Sequence, residues 1–198
     1  MYPKTILNLI ECFKKFPGVG EKSAERMALS CLNMDEDTIN LFITSLENSK
    51  TKIKKCERCG NLSEDKECDI CKNKDRDTNI LCVVEESKNI VLFEKIGTFN
   101  GRYHVLNGLI SPLDGVNPED INISSLLKRI KDEKIKEVIL AVKPTVEGET
   151  TALYIRKLLE EKDVVISKIA HGIPMGADID YIDPLTLEIA LNERSQIS

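Results

Sequence analysis

Four of the seven cysteines form two C-x-x-C pairs, a spacing that allows them to bind one metal ion. Cys56 and Cys59 make the first pair, and Cys68 and Cys71 follow after a gap of eight residues. Two thiolates on each of two tight turns complete a tetrahedral set of four sulfur ligands, which suits zinc. Because four protein ligands leave no position open for a substrate, the spacing predicts a structural zinc site. A redox-active cysteine pair or unpaired thiols are the alternatives, and the doubled spacing disfavours both.

The second stretch able to do chemistry is FPGVGEKSAERMA, residues 16–28, where Gly18 and Gly20 lie between two predicted helices. A nucleotide-binding loop would need a preceding strand and a different glycine spacing. In a helix–hairpin–helix, by contrast, the glycine turn passes close to a phosphate and the second helix points its N-terminal amides at it. Lys22 and Arg26, four residues apart on one face of that helix, could reach further phosphates. A plain helical hairpin with solvated charges is the alternative, and the glycine turn favours sequence-independent binding of nucleic acid.

Three carboxylates are expected where buried strands end. Glu85 lies at the end of the run NILCVVEE, and Glu147 and Glu149 follow the run EVILAV. Ligands of open α/β sheets bind at the carboxyl ends of strands, and Mg²⁺ prefers oxygen ligands. The spacing alone leaves two interpretations open. Either the carboxylates hold Mg²⁺, or they are solvated loop acids or partners for a basic surface on another subunit.

The elements that carry the hairpin form a small helical domain. Apolar residues at three- and four-residue intervals predict a helix over residues 5–16, which Pro17 stops. A second helix follows the glycine turn, and Asp35 caps a third helix. The third helix has an apolar face made of Ile39, Phe42, Ile43 and Leu46. The cysteines outside the two pairs fall on apolar faces and are predicted to be core residues: Cys12, Cys31 and Cys82.

The rest of the chain predicts a zinc-held segment followed by a mainly parallel sheet. Residues 54–75 are polar with almost nothing to bury, so they need metal binding, worth about 10–16 kcal/mol in small zinc peptides. From residue 79, short apolar runs alternate with helical patterns, which predicts βαβ units in a multidomain α/β protein. The predicted strands are NILCVVEE, RYHVLNG, EVILAV and VVISKIA, and the predicted helices are SKNIVLFEKIG, ISSLLKRIKDEK and TALYIRKLLEEK. A last helix starts with Asp183 as N-cap and Pro184 at its first position.

Composition and charge narrow the class of protein further. The chain has 198 residues, of which 41% are hydrophobic, and a formal net charge of -5. Residues 1–60 contain ten Lys+Arg and eight Asp+Glu, a net charge of +2, so the other 138 residues carry -7. An anion-binding surface is therefore expected in the N-terminal third. No apolar run approaches the roughly 20 residues that span a bilayer, and the N-terminus lacks the features of a signal peptide, so we expect a cytoplasmic protein.

Four sequence blocks in one order make the chain similar to a known family. They are FPGVGEKSAERMA, the four-cysteine segment, YHVLNGLISPLDGV, and KPTVEGETTALYI followed by IAHGIPMGAD. Together they resemble the RecR family of bacterial recombination mediators, and the resemblance covers essentially the whole chain. The last two blocks are far more specific than a hairpin or a zinc knuckle alone.

The resemblance implies an architecture and a role. The implied domains are a helix–hairpin–helix domain at 1–53, a four-cysteine zinc finger at 54–75, a Toprim domain at 76–175 and a C-terminal tail at 176–198. The family is not regarded as enzymatic. It assembles as a ring-like homotetramer that can encircle DNA, which implies a nucleoid-associated location. With RecO, and in some settings RecF, it helps RecA replace single-strand-binding protein on gapped DNA.

The resemblance also assigns roles to residues. Lys22 and Arg26 match the family's DNA-contacting basic residues, beside the glycines of the turn, and the four paired cysteines match its zinc ligands. The acidic positions of Toprim enzymes are matched by Glu85, Glu147 and Glu149. No catalytic residue is implied, and Mg²⁺ stays an open question.

Three departures from the family pattern concern the acidic positions and the tail. A catalytic Toprim domain typically has D-x-D where this chain has Glu147-Gly148-Glu149. Lys143 stands where Asn is expected, and it could pair with a neighbouring carboxylate and weaken a metal site. Ala177 replaces a common Gly.

Two other classes of function remain as alternatives. One is a Mg²⁺-dependent nuclease or primase-like enzyme of the Toprim type, and the other is an adaptor that binds a basic partner without touching DNA. No nucleophile is recognisable among the four tyrosines: Tyr2, Tyr103, Tyr154 and Tyr181. His104 and His171, the only histidines, are expected to be structural or interface residues.

Overall fold

The computed structural model describes residues 2–170, 173, 176–192 and 194, and the chain divides into two compact units, residues 1–53 and 54–198. The first unit is helical. The second contains a small cysteine-rich segment, a four-stranded parallel sheet flanked by helices, and a C-terminal helix. The multidomain α/β fold predicted from the sequence is therefore present.

The first unit consists of α1 (Lys4–Lys14), α2 (Glu21–Cys31) and α3 (Glu36–Lys52). Its core lies between α1 and α2, where Ile6 and Ile10 pack on the fully buried Ala24 and Ala28. Alanine keeps the two helices close because it adds almost no bulk between them. The glycine turn that joins α1 to α2 is therefore held by a packed helical hairpin.

Helix α3 is capped as predicted, but it buries none of its residues. The Asp35 side chain accepts a hydrogen bond from the Thr38 N–H at 2.7 Å. Three residues of the predicted apolar face, Phe42, Ile43 and Leu46, are each about half exposed. The 3.6-residue period thus identified the helix correctly, while the apolar face stays open in the single chain.

In its described residues, the second unit contains six strands and five α-helices. In chain order they are β1 (Lys54–Lys55), β2 (Leu62–Ser63), α4 (Asp69–Lys72), β3 (Ile80–Val84), α5 (Ser87–Ile96), β4 (Arg102–Val105), α6 (Ile123–Glu133), β5 (Glu137–Ala141), α7 (Val146–Leu159), β6 (Val165–Lys168) and α8 (Pro184–Asn192). The antiparallel pair β1–β2 belongs to the cysteine segment, and the parallel sheet has the order β4-β3-β5-β6.

The register of the parallel sheet brings the carboxyl ends of its strands to one edge. Val84 of β3 pairs with Val105 of β4 and with Ala141 of β5, and Leu140 pairs with Lys168 of β6. Residues that follow these positions therefore share this edge, which we call the acidic edge because Glu85 lies on it. The order reverses direction between β3 and β5, the place where open α/β sheets bind ligands.

Helices cover both faces of the sheet, as a parallel sheet requires. Alternate residues of β3 point to opposite sides, so Leu81 and Val83 join a core with α6 and α7, while Cys82 and Val84 join a second core with α5. The continuous apolar run ILCVV follows from this double burial.

Two local predictions are wrong. The helix predicted from residue 151 begins five residues earlier, at Val146, because the Thr145 side chain caps it and accepts a hydrogen bond from the Gly148 N–H at 3.3 Å. Glu147 and Glu149 therefore lie in the first turn of α7 and not in a loop. Cys12 is exposed, since it lies two positions beyond Ile10 and so points away from the buried stripe of α1.

The other two unpaired cysteines and the tail follow the sequence more closely. Cys82 is buried and Cys31 is half-buried. Asp183 accepts a hydrogen bond from the Thr186 N–H at 3.0 Å, and Pro184 begins α8, as predicted. Of the block IAHGIPMGAD, residues 171, 172, 174 and 175 lie outside the described residues. In the described part of the chain, no helix has both the length and the apolar character to cross a membrane.

Candidate nucleic-acid hairpin, metal centre and acidic edge

The backbone of the glycine turn in the first unit is accessible to a ligand. Gly18 has a φ of +80°, a left-handed conformation that a side chain would strain, and Gly20 is the N-cap of α2. Between them, Val19 turns inward and packs on the hairpin core. A Cβ added to either glycine would meet no atom within 4 Å, so a ligand can approach the backbone of the turn closely.

The first turn of α2 offers hydrogen-bond donors to an anion. Gly20 has no side chain with which to cap the helix, and the first backbone bond closes from the Ala24 N–H to the Gly20 carbonyl at 2.9 Å. Within the described residues, the N–H groups of residues 21–23 have no protein acceptor. Unpaired N–H groups at the positive end of a helix are a ready site for phosphate.

The charges around this turn are more favourable to an anion than the residue count indicates. Glu21 pairs with Lys14 at 2.7 Å, and Glu25 accepts a hydrogen bond from the Tyr2 hydroxyl at 2.6 Å. Lys22 and Arg26 are exposed, and among residues 2–170, 173, 176–192 and 194 neither has an ion-pair partner. Both acidic side chains of α2 are thus engaged by neighbouring residues, and the two basic side chains remain available to contact a ligand.

The four paired cysteines converge as the spacing predicts. Each is at most 5% exposed, and their Sγ atoms all lie within 4.8 Å of one another. Cys59 and Cys68 have their sulfurs 3.5 Å apart, close to the separation of about 3.8 Å that Zn–S bonds of about 2.3 Å impose in a tetrahedron. Four buried sulfurs at this spacing fit a structural zinc ion with no open coordination position.

Hydrogen bonds between the cysteines affect their protonation. The Cys59 thiol hydrogen-bonds to the Cys68 sulfur, which raises the pKa of Cys59 and lowers the pKa of Cys68. The Cys68 N–H also donates to the Cys56 sulfur at 3.3 Å. A metal ion must displace protons from such a cluster, so its affinity falls as the pH falls.

The first cysteine turn is held by Gly60 and by the sheet. Gly60 has a φ of +76°, and a Cβ added there would lie 3.1 Å from the Val105 carbonyl and from the Asn122 side chain. The Val105 N–H donates to the Cys59 carbonyl at 2.8 Å. The metal centre is therefore fixed to the end of β4 by backbone contacts that leave no room for a side chain.

A buried charge cluster, which sequence reasoning missed, fixes the cysteine segment to helix α6. Glu133 accepts hydrogen bonds from Arg58 Nε at 2.8 Å and Arg129 Nε at 2.9 Å, and Arg102 Nη1 lies 3.5 Å from it. Burial opposes ionisation of Glu133, but Arg58 and Arg129 outweigh it and lower its pKa. The arginines at 102 and 129, inside elements with buried faces, were the signal that could have revealed this cluster.

Lysines form ion pairs with two of the three carboxylates at the acidic edge. Lys143 Nζ lies 3.0 Å from Glu85 Oε1, and Lys168 Nζ lies 3.1 and 3.2 Å from the two oxygens of Glu149. Among the residues that the structure describes, the four cysteines form the only group of three or more potential ligands close enough to share one metal ion. The structure does not bring Glu85, Glu147 and Glu149 together as such a group.

His104 and Tyr103 of β4 are structural. His104 is 1% exposed and donates its Nε2–H to the Asn122 carbonyl at 2.9 Å, and burial lowers its pKa to about 4. Tyr103 is buried, and its hydroxyl donates to Glu94 at 2.6 Å. Of the two roles expected for His104, structural or interface, its burial fits the structural one, while His171 lies outside the described residues.

Four protein-family models match successive parts of the chain. Residues 6–49 match the RecR helix-hairpin-helix model, residues 53–73 the RecR four-cysteine zinc finger domain, residues 79–170 the Toprim domain and residues 172–195 the RecR C-terminal model. The hairpin, the cysteine cluster and the parallel sheet described above each fall within one of these matches.

A curated relative aligns with nearly the whole chain. The chain is 43% identical to Recombination protein RecR of Natranaerobius thermophilus over 196 residues, which cover 99% of this chain and 98% of the relative.

Proposed function

This chain belongs to the RecR family of recombination proteins, and from that premise we propose that it is a non-enzymatic mediator that binds DNA through its glycine hairpin. The observation that carries the proposal is the open turn at Gly18 and Gly20, followed by the exposed Lys22 and Arg26. Backbone amides and basic side chains bind phosphates and make no contact with the edges of the nucleobases. The binding is therefore independent of DNA sequence.

The ligand is gapped DNA, with contacts to its single- and double-stranded parts. One hairpin supplies few phosphate contacts, and non-specific affinity scales with the number of phosphates neutralised. A single copy therefore binds weakly. Several copies that face one DNA bind far more tightly, because each further contact is intramolecular.

Self-assembly into a ring-like homotetramer provides these copies. The half-exposed apolar face of α3, formed by Phe42, Ile43 and Leu46, supports an assembly because a soluble chain gains free energy by covering such a patch. Assembly would multiply the hairpins without adding positive charge to any one chain.

The assembled protein acts with partners and with one structural zinc ion per chain. RecO and RecF dock on it, in part through the carboxylates of the acidic edge, and RecA is loaded where single-strand-binding protein is displaced. Cys56, Cys59, Cys68 and Cys71 hold the zinc, whose role is to maintain the fold of the segment that they close. Ala177 is exposed, at the start of the tail.

DNA binding by a double variant tests the hairpin. Lys22→Ala with Arg26→Ala should weaken binding of gapped DNA at least tenfold at low salt, and should make the slope of log K against log salt shallower by about two per bound chain. Fluorescence anisotropy over a salt series measures both quantities.

The matched control removes the same charge from the same unit. Lys50→Ala with Lys52→Ala, at the exposed end of α3, should change the affinity less than twofold. Equal affinity of the wild type and the hairpin variant would contradict the proposal and would favour an adaptor that does not touch DNA.

A further inference from the structure

A Toprim fold leads one to expect a divalent cation at its acidic edge, and the three candidate ligands are Glu85, Glu147 and Glu149. The geometry of Glu85 does not fit this expectation. Its side chain is 16% exposed, and its carboxylate accepts a hydrogen bond from Lys143 Nζ at 3.0 Å. An ammonium group therefore stands where Mg²⁺ would need a free carboxylate oxygen.

The backbone of Lys143 is held in place by the start of α7. The Thr145 N–H donates to the Lys143 carbonyl at 2.9 Å, which tightens the loop after β5. A Cβ added at Gly148 would lie 1.9 Å from the same carbonyl oxygen, so only glycine allows this contact. The loop therefore presents the lysine to Glu85 from a fixed point and not from a mobile surface segment.

The neighbouring charges keep this lysine protonated. The hydrogen bond that Lys143 donates to Glu85 raises the pKa of Lys143, and the charges of Glu147 and Glu86 add to the effect. Glu147 is ionised as well, because its own backbone N–H, the Thr145 hydroxyl and Lys143 lower its pKa. The lysine thus interacts with two of the three candidate ligands.

Glu149, the third candidate ligand, pairs with a different lysine. Lys168, at the end of β6, lies 3.1 Å from Glu149. Three carboxylates with a combined charge of -3 are therefore offset by two lysines, and -1 remains. With a remaining charge of -1 and two fixed ammonium groups, the site attracts a divalent cation far less than three free carboxylates would.

We propose that Lys143 is a tethered cation that replaces the divalent metal at the acidic edge, so that this Toprim domain carries a permanently metal-free edge. The chain's own lysine supplies the positive charge that stabilises Glu85, and the edge keeps its charge pattern whatever the Mg²⁺ concentration. The inference concerns the second unit alone and stands or falls independently of DNA binding by the hairpin.

Binding of Mn²⁺, followed by the loss of its free-ion electron paramagnetic resonance signal, tests the inference on the zinc-loaded full chain. The wild type should show no saturable Mn²⁺ site up to about 1 mM. Lys143→Asn, which removes the ammonium and offers an oxygen, should create a site at least about tenfold tighter. The double variant Lys143→Asn with Glu85→Gln should lose it again.

Two controls keep the result interpretable. Lys95→Ala removes an exposed lysine of α5 and should bind Mn²⁺ as the wild type does, while Lys143→Arg keeps the charge and should also match the wild type. A wild-type site that Glu85→Gln abolishes would overturn the inference, even if Lys143→Asn failed to fold. Equal binding by Lys143→Asn and the wild type would overturn it as well.

Discussion

At the scale of single residues, the pairing of charges decides what each one can do. On α2, Lys14 and Tyr2 occupy Glu21 and Glu25, and Lys22 and Arg26 stay exposed for a ligand. At the acidic edge Lys143 and Lys168 pair with Glu85 and Glu149, so these two carboxylates are not free to bind a cation. Formal charge therefore says little about either surface until the pairs are known.

The close contact at Gly148 predicts a large effect of one methyl group. Gly148→Ala should destabilise the second unit by about 1–3 kcal/mol, because the new Cβ would overlap the Lys143 carbonyl and force the loop or the helix to shift. Urea unfolding followed by circular dichroism measures the change. Gly20→Ala, where a Cβ meets nothing within 4 Å, is the control and should cost less than about 1 kcal/mol. Equal effects of both substitutions would argue against the packing explanation.

The buried His104 predicts a loss of stability at acid pH. Burial lowers its folded-state pKa from 6.5 to about 4, so the unfolded chain binds the extra proton first. Its contribution is complete above pH 6.5 and is lost as the pH falls toward 4, by roughly 3 kcal/mol. His104→Gln should flatten the pH dependence of the unfolding free energy in this window. If urea titrations gave the variant and the wild type the same slope, His104 would not be the group responsible.

At the scale of elements, the cysteine segment is anchored to β4 and to α6. The Cys59 carbonyl accepts from β4, and Arg58 reaches α6 through Glu133, so the short β1–β2 pair and α4 never have to be stable alone. A segment of this size lacks a hydrophobic core and depends on its metal and its contacts with larger elements.

Removal of the Glu133 carboxylate should weaken the attachment of the cysteine segment to α6. Glu133→Gln leaves three arginines without their shared anion, two of them buried, and should cost about 3–5 kcal/mol. It should also speed the release of zinc to a chromophoric chelator, because Arg58 no longer fixes the segment to α6. Glu67→Gln removes a half-exposed partner of Arg58 at 3.7 Å and should cost less than about 1 kcal/mol. An unchanged rate of zinc release in Glu133→Gln would show that the charge cluster does not stabilise the metal centre.

The elements show what the sequence could and could not predict. Periodicity located the helices and strands, because burial on one or both faces leaves a regular pattern in ILCVV or in the stripe of α1. The start of α7 was misplaced, since the Thr145 cap and the Gly148 contact depend on three-dimensional neighbours. The Glu133 cluster joins residues up to 75 positions apart, and no local pattern marks such a contact.

At the scale of the whole molecule, the separation of charge along the chain favours the proposed action of several copies together. Residues 1–60 have a net charge of only +2, and the remainder carries -7. A single chain is therefore repelled by DNA over most of its length and attracted at one hairpin. In the proposed assembly, cooperation between the hairpins of several copies would overcome this balance.

The exposed face of α3 predicts how this self-association can be broken. Phe42→Ser with Leu46→Ser should lower the mass measured by analytical ultracentrifugation, because the variant loses apolar area that an interface would bury. The same variant should bind gapped DNA at least tenfold more weakly, although Lys22 and Arg26 are intact. Leu113→Ser is the control, since Leu113 is 99% exposed in the second unit, and it should change neither quantity. A variant that kept its mass would exclude α3 from the interface. A variant that lost mass but kept its DNA affinity would show that one hairpin suffices, and would contradict the argument from charge.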